Sequence, residues 1–198
     1  MNADNRQAVS AAAPVLLVVG IHREELPFGE AVAARVDRGA VDVLAIPDGL
    51  TGRRPRPDQR FHHAMLHREL YLQLLPHVVG HYRLLVDLHT GQDRHGPSAE
   101  LYCADEALRT CLAATIGRHP DDTVRATRIV PFAAAAKTPH EAGHAPPHAV
   151  TVIPGEVWEN AAFRYLGMEI YLPAPGAGSE RAWLLADELI DIATACVR

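Results

Sequence analysis

At 198 residues and 48% hydrophobic content, the chain can bury a core of its own without disulfides, and one domain is the expectation. A net charge of −5 leaves no basic footprint for nucleic acid, and no stretch approaches the roughly 20 apolar residues of a membrane span. Three cysteines, Cys103, Cys111 and Cys196, form no C-x-x-C pair, and the first residues lack a secretory pattern, so a reduced, cytoplasmic chain is predicted.

Residues 1–14 predict a mobile arm and residues 15–198 a single domain. Val15–Val19 is a continuous apolar run that stops at Gly20, the pattern of a strand covered on both faces in a parallel sheet. The residues just after Gly20 therefore fall at the carboxyl edge of that sheet, where open α/β folds bind ligands. His22 and Glu25 are three apart and share a face if the turn opens a helix; an imidazole and a carboxylate so placed can hold one divalent ion, most plausibly zinc.

Residues 28–36 predict the first helix and residues 41–46 a second buried strand. Segment 47–59, dense in Pro, Gly and Arg, predicts a loop near the active edge. Arg53, Arg54, Arg56 and the following Arg60 offer guanidinium forks that match a carboxylate bidentately. Residues 61–79 predict a long helix with Met65, Leu66, Leu70, Leu74 and Val78 on its apolar stripe, and with His63 and His67 as partly exposed polar positions.

Leu84, Leu85 and Val86 then lead into Asp87-Leu88-His89-Thr90-Gly91, a second apolar run that ends in a potential ligand and a glycine. Two strands thereby bring His22, Glu25 and His89 to one edge. Two histidines and a carboxylate, with a fourth position open to water, is the set of a catalytic rather than a structural zinc. Asp87, two residues before His89, lies on the same side of the strand, to orient a ligand or bind a basic substrate group.

Further on, residues 100–104 predict a short strand, 106–117 an amphipathic helix through Leu108, Leu112 and Ile116, and 123–130 another strand. Segment 131–148 is a second Pro- and Gly-rich loop, with His140, His144 and His148. Residues 149–153 predict a strong strand leading to Glu156, and residues 167–172 a strand carrying Glu169. Ser179 is the expected N-cap of a final helix that buries Trp183, Ala186, Ile190, Ala193 and Val197. The absence of G-x-G-x-x-G and G-x-S-x-G argues against dinucleotide binding and serine-hydrolase chemistry.

GIHREE (residues 20–25) followed by DLHTG (residues 87–91) resembles the zinc carboxypeptidase superfamily, nearest to its succinylglutamate desuccinylase and aspartoacylase branch. The resemblance implies an α/β fold with a mixed, mostly parallel central sheet flanked by helices. It also implies one zinc per chain on His22, Glu25 and His89, and a late glutamate that activates water. Glu156 and Glu169 are the candidates, with Glu159 a weaker third; Glu156 is slightly preferred because its strand is clearer and it stands at the strand's end. The family's substrate-binding Asn-Arg segment corresponds only loosely to Asp58-Gln59-Arg60-Phe61, where the Asn is absent; Arg60 and Arg54 are the candidate carboxylate binders, with Asp87 a third substrate-site residue. The implied activity is hydrolysis of an amide in a small carboxylate-bearing substrate. A carboxypeptidase acting on short peptides, a non-catalytic zinc-binding protein and a His-rich metal buffer are the alternatives.

Overall fold

The computed structural model describes residues 14–53, 56–132, 151 and 153–198. In chain order it has β1 (Val15–Val19), α1 (Leu26–Ala33), β2 (Val41–Ala45), a 3-10 turn (Pro57–Gln59), α2 (Arg60–Val78), β3 (Leu84–Gln92) and β4 (Ser98–Cys103). Next come α3 (Glu106–Ile116), α4 (Asp122–Arg125), β5 (Arg128–Pro131), α5 (Gly155–Trp158), β6 (Arg164–Leu172) and α6 (Glu180–Ala195). The strands form one sheet in the order β2-β1-β3-β6-β4-β5. Every neighbouring pair is parallel except β4 with β6. The sheet is therefore mixed and mostly parallel, as the motifs implied.

Strand parity decides which side chains meet which helices. Val15, Leu17 and Val19 pack with Leu84, Val86, Leu88, Leu166, Met168 and Ile170 against the apolar faces of α1, α3 and α6. Leu16, Val18, Leu85 and Tyr165 point the other way, against Tyr71, Leu74 and Val78 of α2 and Val157 and Trp158 of α5. Two helical layers thus enclose the central strands, which explains the unbroken apolar run of β1. Ser179 caps α6 as expected, accepting from Ala182 N, and Ala186, Ile190, Ala193 and Val197 are buried.

Several sequence expectations are corrected. β2 is an edge strand in which only Val41 is fully enclosed, so it is not a buried strand. Residues 122–125 are a helical turn, because Asp121 accepts from Thr123 N and caps it; the strand begins at Arg128. Thr151 and Ile153 lie outside any strand, while residues 149, 150 and 152 and the histidines at 140, 144 and 148 fall outside the described residues. On α2 the buried face is His67, Tyr71, Leu74 and Val78, whereas Met65 and Leu66 are exposed. Leu74 and Val78 are buried as expected, but in the first half of the helix His67 and Tyr71 take the place of Leu66 and Leu70, since there the helix covers a polar site rather than plain core. Arg83 N and Leu84 N both donate to Pro14 O, so Pro14 is tied to the sheet and is no part of an arm.

Cys111 and Cys196 form a disulfide, joining α3 to the end of α6 across 85 residues. The bridge overturns the expectation of a reduced chain and removes the ground for a cytoplasmic placement, because such bonds persist in oxidising compartments. Three scattered cysteines carried no sign of it: the pairing is created by two helices lying on the same face of the sheet. Cys103 is free and buried. Among the described residues, no helix is long and apolar enough to cross a membrane.

Candidate metal centre

β1 ends at Val19, and Gly20, at a positive φ of 85°, turns the chain over the sheet's edge. His22 and Glu25 are not on a helix together: they close a turn in which Glu25 N donates to His22 O at 2.9 Å, and Glu25 is the N-cap of α1. The turn is held from outside. Ile46 N donates to Val19 O, Leu50 N to Ile21 O and Arg23 N to Leu50 O, so the loop after β2 is laced along the ligand-bearing turn. Glu24 completes the lacing by accepting from Thr51 Oγ1 at 2.7 Å and Gly52 N at 2.9 Å. The Gly52 and Thr51 hydrogen bonds pull its carboxyl down to about 2.

His89 arrives on β3, which runs beyond the expected end to Gln92. The donor atoms of His22, Glu25 and His89 all lie within 4.8 Å of one another. His22 Nδ1 is 3.1 Å from Glu25 Oε1, and His89 Nδ1 is 2.9 Å from Glu25 Oε2. Tetrahedral zinc with bonds of about 2.0–2.2 Å sets its donors roughly 3.3 Å apart. The set of two imidazoles and one carboxylate therefore fits zinc in type, and the two histidine–glutamate separations are near that value.

Behind His89 lies a buried polar cluster. Asp87 is 0% exposed; its Oδ2 accepts from Tyr71 OH at 2.6 Å and Tyr165 OH at 2.7 Å, and its Oδ1 is 3.0 Å from His89 Nε2. Burial alone would raise the Asp87 carboxyl, but the His89 imidazole and the hydrogen bonds from His89, Tyr165 and Tyr71 hold it below its ordinary value. Burial alone would lower His89, yet Asp87 and Glu25 raise it well above the usual imidazole range. Glu25 also ends below its ordinary value: burial opposes this, and the hydrogen bonds to His22 and His89 outweigh it. His89 Nε2 thus faces Asp87 Oδ1 at 3.0 Å as an ion pair and Tyr71 OH at 3.2 Å as its hydrogen-bond partner, and Nδ1 is left facing the other donors. With no exposed surface, Asp87 is no substrate-binding residue.

Glu169 comes to the same edge by register. It pairs with His89 across β3 and β6 and with Glu100 across β6 and β4. It lines one cavity with His22, Glu25, His67, Tyr71 and His89. Gly91 makes room for it, since a Cβ there would come within 2.7 Å of Glu169 Oε1 and strike the Tyr171 ring. Burial, reinforced by Glu25 and Glu100, pushes the Glu169 carboxyl above its ordinary value. Glu156, the slightly preferred candidate, is not brought here. It sits on α5, its side chain is 55% exposed, and it pairs with Arg68 at 2.9 Å. Glu159, at the end of α5, is exposed as well. The readable sign was alternation: Leu166, Met168, Ile170 and Leu172 face the core, so Glu169 shares the other face with Tyr165 and Gly167.

Three more residues belong to the site. His67 is 5% exposed, its ring lies tilted 5.6 Å from the His22 ring and 5.1 Å from the Tyr71 ring, and it is lowered to about 4 by burial and by the His22 and His89 imidazoles. Tyr71 stands over Asp87. Arg53 lines a second cavity with Glu24, Glu25, Thr90, Gly91 and Gln92. Arg53 and Arg60 are both exposed, but Arg60, at the first turn of α2, lines none of the cavities around the donor cluster; Arg54 lies outside the described residues.

No protein-family model and no curated protein matches the chain. Solved structures do. The chain is similar to murine aminoacylase 3 at 14% identity and a TM-score of 0.48, covering 94% of this chain and 63% of that one. It is similar to succinylglutamate desuccinylase/aspartoacylase from Rhodobacter sphaeroides at 19% identity and 0.48, covering 94% and 56%. A bacteriophage poly-gamma-glutamate hydrolase is similar at 13% identity and 0.47, covering 93% and 85%. The chain spans less than two thirds of the first two proteins. The activities remain those of the proteins named.

Proposed function

We propose that the chain is a zinc-dependent hydrolase that cleaves an amide bond in a small carboxylate-bearing substrate, a deacylase of N-acyl amino acids in kind. The observation that carries this reading is the convergence of the His22, Glu25 and His89 donors within 4.8 Å, with Glu169 lining the same cavity. The chemistry zinc supplies when bound to such a set is Lewis acidity, acidifying a water to a pKa of about 7 and polarising a carbonyl. The remaining work falls to this chain's residues. Glu169, made more basic by burial, takes the proton of the attacking water and returns it to the leaving amine. Asp87 fixes the His89 tautomer. Arg53 pairs with the substrate carboxylate and so sets the scissile bond beside the donors. Cavities of about 250–290 Å³ support a small substrate over a long peptide.

The test is metal content by elemental analysis together with hydrolysis of N-acyl amino acids. The expected result is one zinc per chain. His89→Ala should lose both metal and activity, while Glu169→Gln should keep the metal and lose about 10²–10⁴-fold in kcat. Zinc retained by His89→Ala, or undiminished turnover by Glu169→Gln, would overturn the reading.

A further inference from the structure

Next to the donor cluster, and sharing His89 and Glu169 with it, lies another cavity of about 250 Å³. Its walls include Tyr102, Phe132, Ile153, Tyr165, Gly167 and Met168. The rings form a continuous array: Tyr102 and Phe132 are stacked with centroids 5.7 Å apart, and Phe132 meets Tyr165 at 5.9 Å and Trp158 at 5.5 Å. Parity places them there, since Tyr102, Tyr165 and Gly167 all project to the α2 face, as Glu169 does.

The hydroxyls in this wall are already committed. Tyr102 OH donates to Glu100 Oε2, and Tyr165 OH donates to Asp87. Away from His89, Glu169 and Thr151, what this wall offers an occupant is mainly ring surface and aliphatic carbon. By volume, a wholly apolar cavity of about 150 Å³ is enough to hold benzene. This one is larger, and it opens beside the group assigned to activate water.

Gly167 adds a second, independent sign. A glycine inside a strand weakens it, and its φ is not in the left-handed region, so the backbone does not require it. A Cβ at this position would stand 3.4 Å from Tyr102 Cβ and from Tyr165 Cε1, ordinary contact that the fold can accept. A longer side chain would enter the cavity. The missing side chain is therefore space held open.

We propose that this cavity receives an aryl or comparably bulky apolar group of the substrate, and that Gly167 sets its depth. Resting on the hydrolase reading, the arrangement distributes the substrate along the edge. The carboxylate-bearing half lies by Arg53, the scissile amide by the donor cluster and Glu169, and the acyl group against the Tyr102–Phe132 wall. Arylacyl or aroyl amino acids are then the favoured class, above their N-acetyl counterparts.

The test begins with binding, so that it does not depend on turnover. Metal-free protein is titrated calorimetrically with phenylacetamide and with acetamide, neutral probes in which only the former carries a ring. Phenylacetamide should bind about 10–200-fold more tightly. Gly167→Leu should erase most of that difference, and Gly167→Ala part of it, at unchanged fold by circular dichroism. Should Gly167→Leu fail to fold, Gly167→Ala and Phe132→Ala carry the same comparison. Equal binding of the two probes, or a ring preference indifferent to all of these variants, overturns the proposal. Zinc-loaded enzyme is then assayed on N-phenylacetylglycine and N-acetylglycine. Equal kcat/KM values would defeat the pocket while leaving the hydrolase intact. Ring-selective binding without hydrolysis of either would support the pocket and defeat the hydrolase.

Discussion

Asp87→Asn is the most informative single change, because it leaves the shape of the buried cluster almost untouched and alters only what it can accept. The carboxylate takes two tyrosine hydroxyls on Oδ2 and faces His89 Nε2 with Oδ1. A carboxamide has one oxygen. If that oxygen serves His89, the amide nitrogen faces Tyr71 and Tyr165, and two buried donors lose their acceptor. If it serves the tyrosines, the amide nitrogen faces His89, whose Nε2 must then accept. That tautomer carries its proton on Nδ1, the atom turned toward Glu25 and the metal position.

The cost divides in two. Replacing hydrogen bonds to a buried charge should remove about 2–4 kcal/mol of stability, near 2–4 °C of Tm per kcal/mol in a chain of this size. Disturbing the partner of a metal-ligating histidine should weaken zinc by about 10–100-fold, equivalent to about 1.4–2.7 kcal/mol. Thermal unfolding of the metal-free protein reads the first, and competition with a chromophoric chelator reads the second. Tyr165→Phe is the control: it removes one hydroxyl from Asp87 and does not touch His89, so it should cost stability with little change in zinc affinity. If Asp87→Asn is destabilised and yet binds zinc as tightly as Tyr165→Phe does, the tautomer argument is wrong and the cluster is only structural.

Thiol counts should follow the bridge: under denaturing, non-reducing conditions one thiol reacts with Ellman's reagent, and after reduction three do. In the native protein Cys103 should stay silent at neutral pH, because burial raises its thiol to about 11; rapid labelling would contradict its enclosure. Opening the bridge by substituting both cysteines with serine should cost up to about 4–5 kcal/mol by loop entropy for the 85-residue separation, read as a lower urea midpoint. His67 titrates near 6.5 when unfolded and at about 4 when folded, so the unfolded chain binds more protons between these values. Its contribution to stability is present above about 6.5 and is lost as pH falls toward 4; metal-free His67→Gln should show a flatter loss of urea midpoint from pH 7 to 4.5, and parallel curves would argue against a neutral, enclosed His67. Arg53→Ala should raise KM for carboxylate-bearing substrates with little effect on zinc content, whereas Arg60→Ala should change neither.

What was legible in the chain was whatever is written locally. The apolar runs of β1 and β3 ended in His22, Glu25 and His89, and those three do converge. Ser179, Leu108, Leu112 and Ile116 behaved as their spacing required. The failures have a common cause, namely partners that come from far away. Glu169 sits within a strand, and its place beside His89 depends on β6 lying between β3 and β4, which nothing in residues 164–172 announces. Glu156 looked better because a polar residue after an apolar run suggests a strand end. The α2 stripe was misplaced because a helix covering a polar site buries His67 and Tyr71 where a core helix would bury leucine. Arg53 could not be told from its neighbours by composition; only the lacing of residues 46–52 to the His22 turn puts it beside the donors.

That lacing has a consequence for how such a protein could be remodelled. Gly49 lies directly against the Gly20 and Ile21 carbonyls, so even a methyl group there would push the loop off the turn. The loop carrying Arg53 and the turn carrying His22 and Glu25 then behave as one casting, and damage to either should reach both. The opposite wall, on β4 and β6, shares no backbone with that casting except through β3. On the proposed function, laboratory selection for a new acyl group would thus find its freedom at Gly167 and Tyr102, while exchanging the carboxylate for another head group would mean rebuilding the piece that carries His22 and Glu25. The two halves of the substrate are unequal in how readily they can be renegotiated, and the inequality is set by which loop was tied to the first strand.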